Sequence, residues 1–209
     1  LCEASGVDYD KVTEYANFDP RLGDTHWVVP GPDGKRGFGG SCFPKDINAF
    51  VSFAEDLGLN VKWLNFDPNS YEYDVDLAQK IVEECEVKLA AINYASNCLG
   101  TINNVKKLTE LFQQSGAIVF VDAVQYVPHG PTNVQELGCD FLVCSPYKFF
   151  GPHQGVLWGK SEILEKLEAY KVRPADDFAP GKFETGTQLH EGQAGTLGVI
   201  EYLQWIGTS

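Results

Sequence analysis

From Val61 onward the chain alternates short apolar runs with segments of helical period, and no other feature constrains its fold as strongly. The run VKWLNF (61–66) is followed by LAQKIVEECE, VKLAAINYA, NNVKKLTELFQQSG, AIVFVDAV, DFLVCS, GVLWG and SEILEKLEAY. Buried strands that alternate with helices imply βαβ units and a parallel or mostly parallel sheet. The segment 104–114 shows the logic: Asn103 or Asn104 caps it, Val105, Leu108 and Phe112 face the sheet, and Gly116 closes it. The fold class expected is therefore α/β.

The first sixty residues have a different character. Residues 5–18 carry Ser5 as an N-cap candidate, with Val7, Val12, Tyr15 and Ala16 at helical spacing. Residues 19–41 are dense in Gly and Pro, with turn signals at Pro30-Gly31 and Asp33-Gly34, and read as a loop. After Phe43 and Pro44 an apolar stripe of Ile47, Phe50, Val51, Ala54 and Leu57 predicts a helix that ends at Gly58. The change of period near Val61 divides the chain into a helical and loop segment, 1–61, and an α/β segment, 62–209.

Composition narrows the function classes. With 44% hydrophobic and 22% charged residues the chain can build a core, and its net charge of −13 opposes nucleic acid or an anionic membrane as partner. No apolar run reaches the roughly 18 to 20 residues of a membrane span, so a cytosolic protein is expected. The six cysteines form no C-x-x-C pair, which predicts reduced thiols and no metal site. The chain has no Met and opens at Leu1, so it is expected to be a piece, a processed chain or an artificial one.

Two stretches carry chemistry. In GFGGSCFPKD (37–46), Gly37, Gly39 and Gly40 let the backbone approach a ligand, and Cys42 precedes a helix whose N-terminus favours a thiolate. Taken singly, Cys42 reads first as a small buried residue, as most cysteines beside a glycine-rich loop do. The string, with DPRLG at 19–23 and VPGPDGKR before it, resembles the UDP-glucose and GDP-mannose dehydrogenases over residues 1 to about 60. The resemblance implies that Cys42 is the catalytic nucleophile and that Asp46 orients water or the base. It further implies that Phe38, Gly39, Gly40 and Ser41 touch the nucleotide sugar, and that Arg21 reaches the hexose of a neighbouring subunit. NAD is the cofactor it implies, yet no G-x-G-x-x-G turn lies between a strand and a helix, so no NAD site is expected in these residues.

The second stretch lies at the ends of two strand-like runs. Lys148 follows DFLVCS and Asp122 ends AIVFVDAV, so both project from the carboxyl ends of neighbouring strands, where α/β sheets place ligands. A lysine, a carboxylate and hydroxyl or amide donors are what pyridoxal phosphate chemistry requires. Singly, Lys148, Asp122 and Gln125 also read as a loop lysine, a turn residue and a surface amide. ASNCLGT (95–101), VDAVQYVPHGP (121–131), SPYKFFGPHQG (145–155) and FETGTQLHEGQAGT (183–196) together resemble the cysteine desulfurase-like, class V aminotransferase family over residues from about 62 to 209.

That resemblance implies part of a three-layer α/β sheet of pyridoxal phosphate fold type I. It makes Lys148 the Schiff-base lysine, Asp122 the partner of the pyridine nitrogen and Gln125 the partner of the ring hydroxyl. Asn97 would lie near cofactor and substrate, Ser145 would hold the phosphate, and Thr187 would reach the phosphate of the other subunit in a homodimer. Tyr147 stands where the desulfurases proper carry histidine. Weak cofactor occupancy and a small-molecule substrate are expected, and Cys139 and Cys144 read as core thiols. Three readings follow: a pyridoxal-phosphate enzyme region, a sugar-nucleotide dehydrogenase region, and an artificial chimera of the two without catalysis, joined between Leu57 and Trp63.

Overall fold

The structure is a computed structural model that describes residues 6–18, 42–97, 99–184 and 186–208, with residues 42–46 described by their backbone alone. The chain divides into two compact units, Leu1–Val61 and Lys62–Ser209.

In the first unit, helix α1 (Tyr9–Ala16) starts where the Asp8 carboxylate accepts from the backbone N–H groups of Asp10, at 3.0 Å, and Lys11, at 3.5 Å. Asp8 is thus the cap; Ser5, which the sequence offers for that role, lies outside the described residues. Helix α2 (Cys42–Asp56) is closed by Gly58, whose φ of +78° is a left-handed conformation that suits glycine. The Gly58 and Leu59 N–H groups then bond back to the carbonyls of Glu55 and Ala54, at 2.8 and 3.0 Å. The loop reading for 19–41 falls outside the described residues.

The second unit is α/β. Helix α3 (Val75–Glu84) leads to β1 (Leu89–Asn93), α4 (Val105–Gln114), β2 (Ile118–Asp122), the short α5 (Val134–Leu137) and β3 (Phe141–Cys144). Strand β4 (Val156–Gly159), α6 (Ser161–Leu164) and α7 (His190–Thr208) complete it. The sheet order is β1-β2-β3-β4, with the first three strands parallel and β4 antiparallel to β3. The mostly parallel sheet expected from the alternating pattern is therefore present. Register sets Asn93 beside Asp122, Asp122 beside Val143, and Cys144 beside Val156, so the carboxyl ends of β1 to β3 and the start of β4 share one edge.

The core explains the pairing. Val105, Leu108 and Phe112 of α4 are buried in one cluster with Ile92, Val119, Val121 and Leu142 of the sheet. Asn104 is the cap of α4, its carboxamide oxygen accepting from the Lys107 N–H at 3.1 Å. Asn103 instead is buried and bridges two segments: its Oδ1 accepts from the Tyr73 N–H, and its Nδ2 donates to the Asn93 carbonyl, both at 2.9 Å. Gly116 follows the helix with φ +86°.

Two elements differ from the pattern. VKWLNF is not a strand: Phe66 makes only an isolated antiparallel bridge to Tyr73, and Trp63 and Phe66 are exposed. The Asp67 carboxylate accepts from the N–H groups of Asn69 and Ser70, at 2.6 and 3.1 Å, and this closes a tight reversal that brings Tyr73 back beside Phe66. SEILEKLEAY forms only the single turn α6. The buried Lys182 donates its ammonium to the carbonyls of Glu165 and Leu167, both at 3.0 Å, which satisfies groups that a longer helix would have bonded internally.

A buried polar cluster ties the opposite end of the sheet. Asp140, directly before β3, accepts from Lys160 Nζ at 2.7 Å, from the Val119 N–H at 2.8 Å and from Gln113 Nε2 at 3.0 and 3.1 Å. Burial alone would push its carboxyl up; the hydrogen bonds from Lys160, Val119 and Gln113 outweigh that and hold it below the usual carboxylate range.

Candidate functional site at the strand ends

The loops after β1, β2 and β3 bring five of the sequence candidates, Asn97, Asp122, Gln125, Ser145 and Lys148, to one edge of the sheet. Asp122 is the last residue of β2 and is half-buried. Its backbone carbonyl accepts from the Tyr94 N–H at 2.8 Å, and its carboxylate Oδ1 accepts from the Val124 N–H at 3.0 Å. The carboxylate is thereby fixed through one oxygen, and Oδ2 is left for another donor. Gln125 follows in a tight, half-buried turn, in which the N–H groups of Tyr126 and Val127 both reach the Ala123 carbonyl at 3.0 Å.

Ser145 directly follows β3 and precedes a 3-10 turn, Pro146–Phe149, that carries Lys148. The Ser145 side chain makes no capping hydrogen bond, so its hydroxyl is free for a ligand, while its carbonyl accepts from the Lys148 N–H at 3.0 Å. The turn closes through Gly151, whose N–H reaches the Pro146 carbonyl at 2.8 Å; a Cβ there would lie 2.6 Å from Pro146 Cβ, so only glycine fits. Lys148 is exposed, and among the described residues it pairs with no carboxylate; Nζ stands 5.2 Å from the centre of the Tyr147 ring. The His153 ring lies 5.3 Å from that of Tyr147.

Asn97 lies exposed in the turn after β1, which is closed by the Ser96 N–H to Thr101 carbonyl bond at 2.9 Å. Thr187 lies exposed in the segment before α7, and its side chain makes no hydrogen bond among the described residues. Arg21, Phe38, Gly39, Gly40 and Ser41 fall outside the described residues. Cys42 and Asp46 are placed in α2 by their backbone.

Cys139 and Cys144 lie beside and in β3. Cys139 is fully buried, and burial first, then the neighbouring Asp140 charge, pushes its thiol up; burial alone does so for Cys144. In a timed alkylation read by mass spectrometry, Cys139 and Cys144 are expected to react more slowly than Cys42, whose place as the first residue of α2, after a glycine-rich stretch of sequence, favours the thiolate. Uniform labelling of all three would overturn this. Among the described residues no group of three or more His, Cys, Asp or Glu side chains could hold a metal ion, and no helix is long and apolar enough to cross a membrane.

Three residues at this edge escaped sequence reasoning. Tyr94 and Tyr126 stack with centroids 3.7 Å apart and planes inclined by 12°, and His153 joins Tyr147. His153 lies inside the quoted SPYKFFGPHQG string and could have been weighed there. The tyrosine pair joins two segments distant in sequence, and no local pattern shows it.

Residues 1–66 match the UDP-glucose/GDP-mannose dehydrogenase family, central domain, and residues 46–209 match the aminotransferase class-V family. The chain is 40% identical over 145 residues to a probable cysteine desulfurase of Halalkalibacterium halodurans, covering 64% of the chain and 36% of that protein. It is 32% identical over 175 residues to a cysteine desulfurase of Yersinia pseudotuberculosis, covering 78% of the chain and 43% of that protein. Among solved structures, the apo cysteine desulfurase of Thermococcus onnurineus NA1 matches with a TM-score of 0.69 and 30% identity, over 78% of this chain and 43% of that one. The chain thus spans about two-fifths of the length of these relatives. With a mostly parallel sheet, a lysine and a carboxylate at adjacent strand ends, and a match over residues 46–209, the chain belongs to the aminotransferase class-V family.

Proposed function

We propose that residues 62–209 are a cysteine desulfurase-like, pyridoxal-phosphate-binding region, joined to a sugar-nucleotide dehydrogenase-like segment, and that these 209 residues bind the cofactor weakly with little or no turnover. The observation that carries the reading is the convergence of Asp122, Gln125, Ser145 and Lys148 on one sheet edge, from strands that are adjacent and parallel.

The donor set fits the cofactor's chemistry. Among the described residues Lys148 offers an amine that no carboxylate holds, Asp122 has one oxygen fixed by the Val124 N–H and the other open, and the Ser145 hydroxyl is uncapped. When bound, the cofactor supplies an aldehyde for a lysine and an electron-accepting ring. In this reading Lys148 would hold the aldehyde end of the cofactor. Asp122 would keep a proton on the ring nitrogen, Gln125 would donate its amide to the ring hydroxyl oxygen, and Ser145 would donate its O–H to the phosphate. Asn97 orients the substrate from the turn after β1. Cys139 is shielded from a sulfur donor by burial, and the half-buried Cys144 ends β3 as part of the sheet, so neither is assigned the role of accepting sulfur.

The same reading includes a homodimer in which Thr187 reaches the other subunit's phosphate, a small-molecule substrate and a cytoplasmic setting, which the free thiols of Cys85, Cys139 and Cys144 support. The net charge of −13 argues against a nucleic-acid partner. The test is an absorbance scan with added pyridoxal phosphate, followed by borohydride reduction and peptide mapping. A visible band that maps to Lys148 is expected; label on another lysine overturns the reading.

For the dehydrogenase-like segment, no NADH is expected from NAD and UDP-glucose, because hydride transfer needs an acceptor site and the sequence carries no dinucleotide fingerprint. NADH formation that is lost in Cys42→Ser would reverse this.

A further inference from the structure

We propose that the stacked Tyr94–Tyr126 pair is a positioning element of this site: it clamps the turn that carries Gln125 onto the end of β1, and so fixes Gln125 relative to the Asp122 carboxylate. The proposal rests on the cofactor reading above and goes beyond it by assigning two residues that touch no reacting atom.

Tyr94 is anchored through its backbone on both sides. Its N–H donates to the Asp122 carbonyl at 2.8 Å, and its carbonyl accepts from the Asn103 N–H at 2.9 Å. Asn103 is itself buried and bridges the Asn93 carbonyl and the Tyr73 N–H, so the platform under Tyr94 is rigid. Tyr126 adjoins Gln125 in the turn, with its carbonyl accepting from the N–H groups of His129 and Gly130 at 2.8 and 3.1 Å. The two half-buried rings stack nearly parallel at 3.7 Å, and burial first, then the neighbouring Tyr126 hydroxyl, pushes the Tyr94 phenol up to about 12. Gly130 leaves room for this arrangement: a Cβ at that position would lie 2.8 Å from the Tyr126 hydroxyl oxygen. Van der Waals contact between two rings, one on a fixed platform, restricts the other's backbone. Gln125 is the residue next to that backbone.

The test uses the full 209-residue chain in four forms: the parent, Tyr126→Ser, Tyr126→Phe and Gly130→Ala. Gly130→Ala keeps both rings but pushes them apart, so the proposal stays testable if Tyr126→Ser fails to fold. In the cofactor-free chain, hydrogen exchange of the Val124, Tyr126 and Val127 amides is expected to rise about tenfold in Tyr126→Ser and Gly130→Ala, with the α4 amides unchanged. Tyr126→Phe should match the parent because it keeps the stack. With pyridoxal phosphate added, the pH midpoint of the visible band should move by about half a unit or more in the two disruptive variants, since the partners of the ring shift. Unchanged exchange in both variants overturns the proposal, and so does accelerated exchange with an unmoved band, which would mean packing alone. If the parent takes up no pyridoxal phosphate the cofactor reading fails, and the exchange result by itself then decides whether the pair holds the turn.

Discussion

Lys148→Ala is expected to abolish the visible band that pyridoxal phosphate raises in the parent, and to leave no borohydride-stable label on the 145–155 peptide. The effect is all-or-none because Lys148 is the lysine presented by the turn after β3, where the Asp122 carboxylate and Ser145 hydroxyl face the same edge. Two other lysines of the second unit are held elsewhere: Lys160 is bonded to Asp140 at the opposite end of the strands, and Lys182 is buried against the carbonyls of Glu165 and Leu167. Asp122→Ala should weaken binding about ten- to hundredfold, the scale of one lost charge-assisted hydrogen bond of ~1.5 to 3 kcal/mol. Cys42→Ser should leave the band intact. An absorbance titration with peptide mapping checks all three, and a band that survives Lys148→Ala would remove the lysine from its assigned role.

The placement of this lysine was legible in the sequence because it depends on where strands end. DFLVCS and AIVFVDAV are apolar enough to be buried, so the polar residues that follow them had to emerge at the sheet edge, and Asp122, Ser145 and Lys148 do. Helix α4 was equally readable from the spacing of Val105, Leu108 and Phe112, all buried. What failed was whatever depended on a distant partner. VKWLNF has the composition of a strand, but the Asp67 reversal pairs Phe66 with Tyr73 in a single bridge and no ladder forms. SEILEKLEAY has the period of a helix, but Lys182, many residues later, takes up the carbonyls at its end. The Tyr94–Tyr126 stack likewise joins two loops that become neighbours only because β1 and β2 pair in register. Of the dehydrogenase-like set, Cys42 and Asp46 are placed by backbone alone, so only their position in the first turns of α2 bears on that chemistry.

The largest loss of stability is expected from Asp140→Ala, about 3 kcal/mol, because removing one member of a buried ion pair strands the others. Asp140 is 5% exposed and serves four elements at once: β2 through the Val119 N–H, α4 through Gln113, β3 by position, and the segment after β4 through Lys160. Without the carboxylate the Val119 N–H loses its acceptor at the buried start of β2, and the Lys160 ammonium keeps only the Gly138 carbonyl, at 2.9 Å. Lys160→Met should cost less, because the Lys160 side chain is 29% exposed and the carboxylate retains Val119 and Gln113. The pH dependence has a definite sign. The folded-state pKa of Asp140 is depressed, so its contribution is full above the unfolded value of about 3.9 and is lost as pH falls through the lower folded value. Between those two values the unfolded chain binds the extra proton, and stability therefore rises with pH across that window. Exchange free energies of the β2 amides, measured at neutral pH and below pH 4, should show the parent losing stability in acid and Asp140→Ala losing less. A change under about 1 kcal/mol at neutral pH, below the usual cost of stranding buried polar groups, would mean that water replaces the carboxylate and that the sheet does not depend on this cluster.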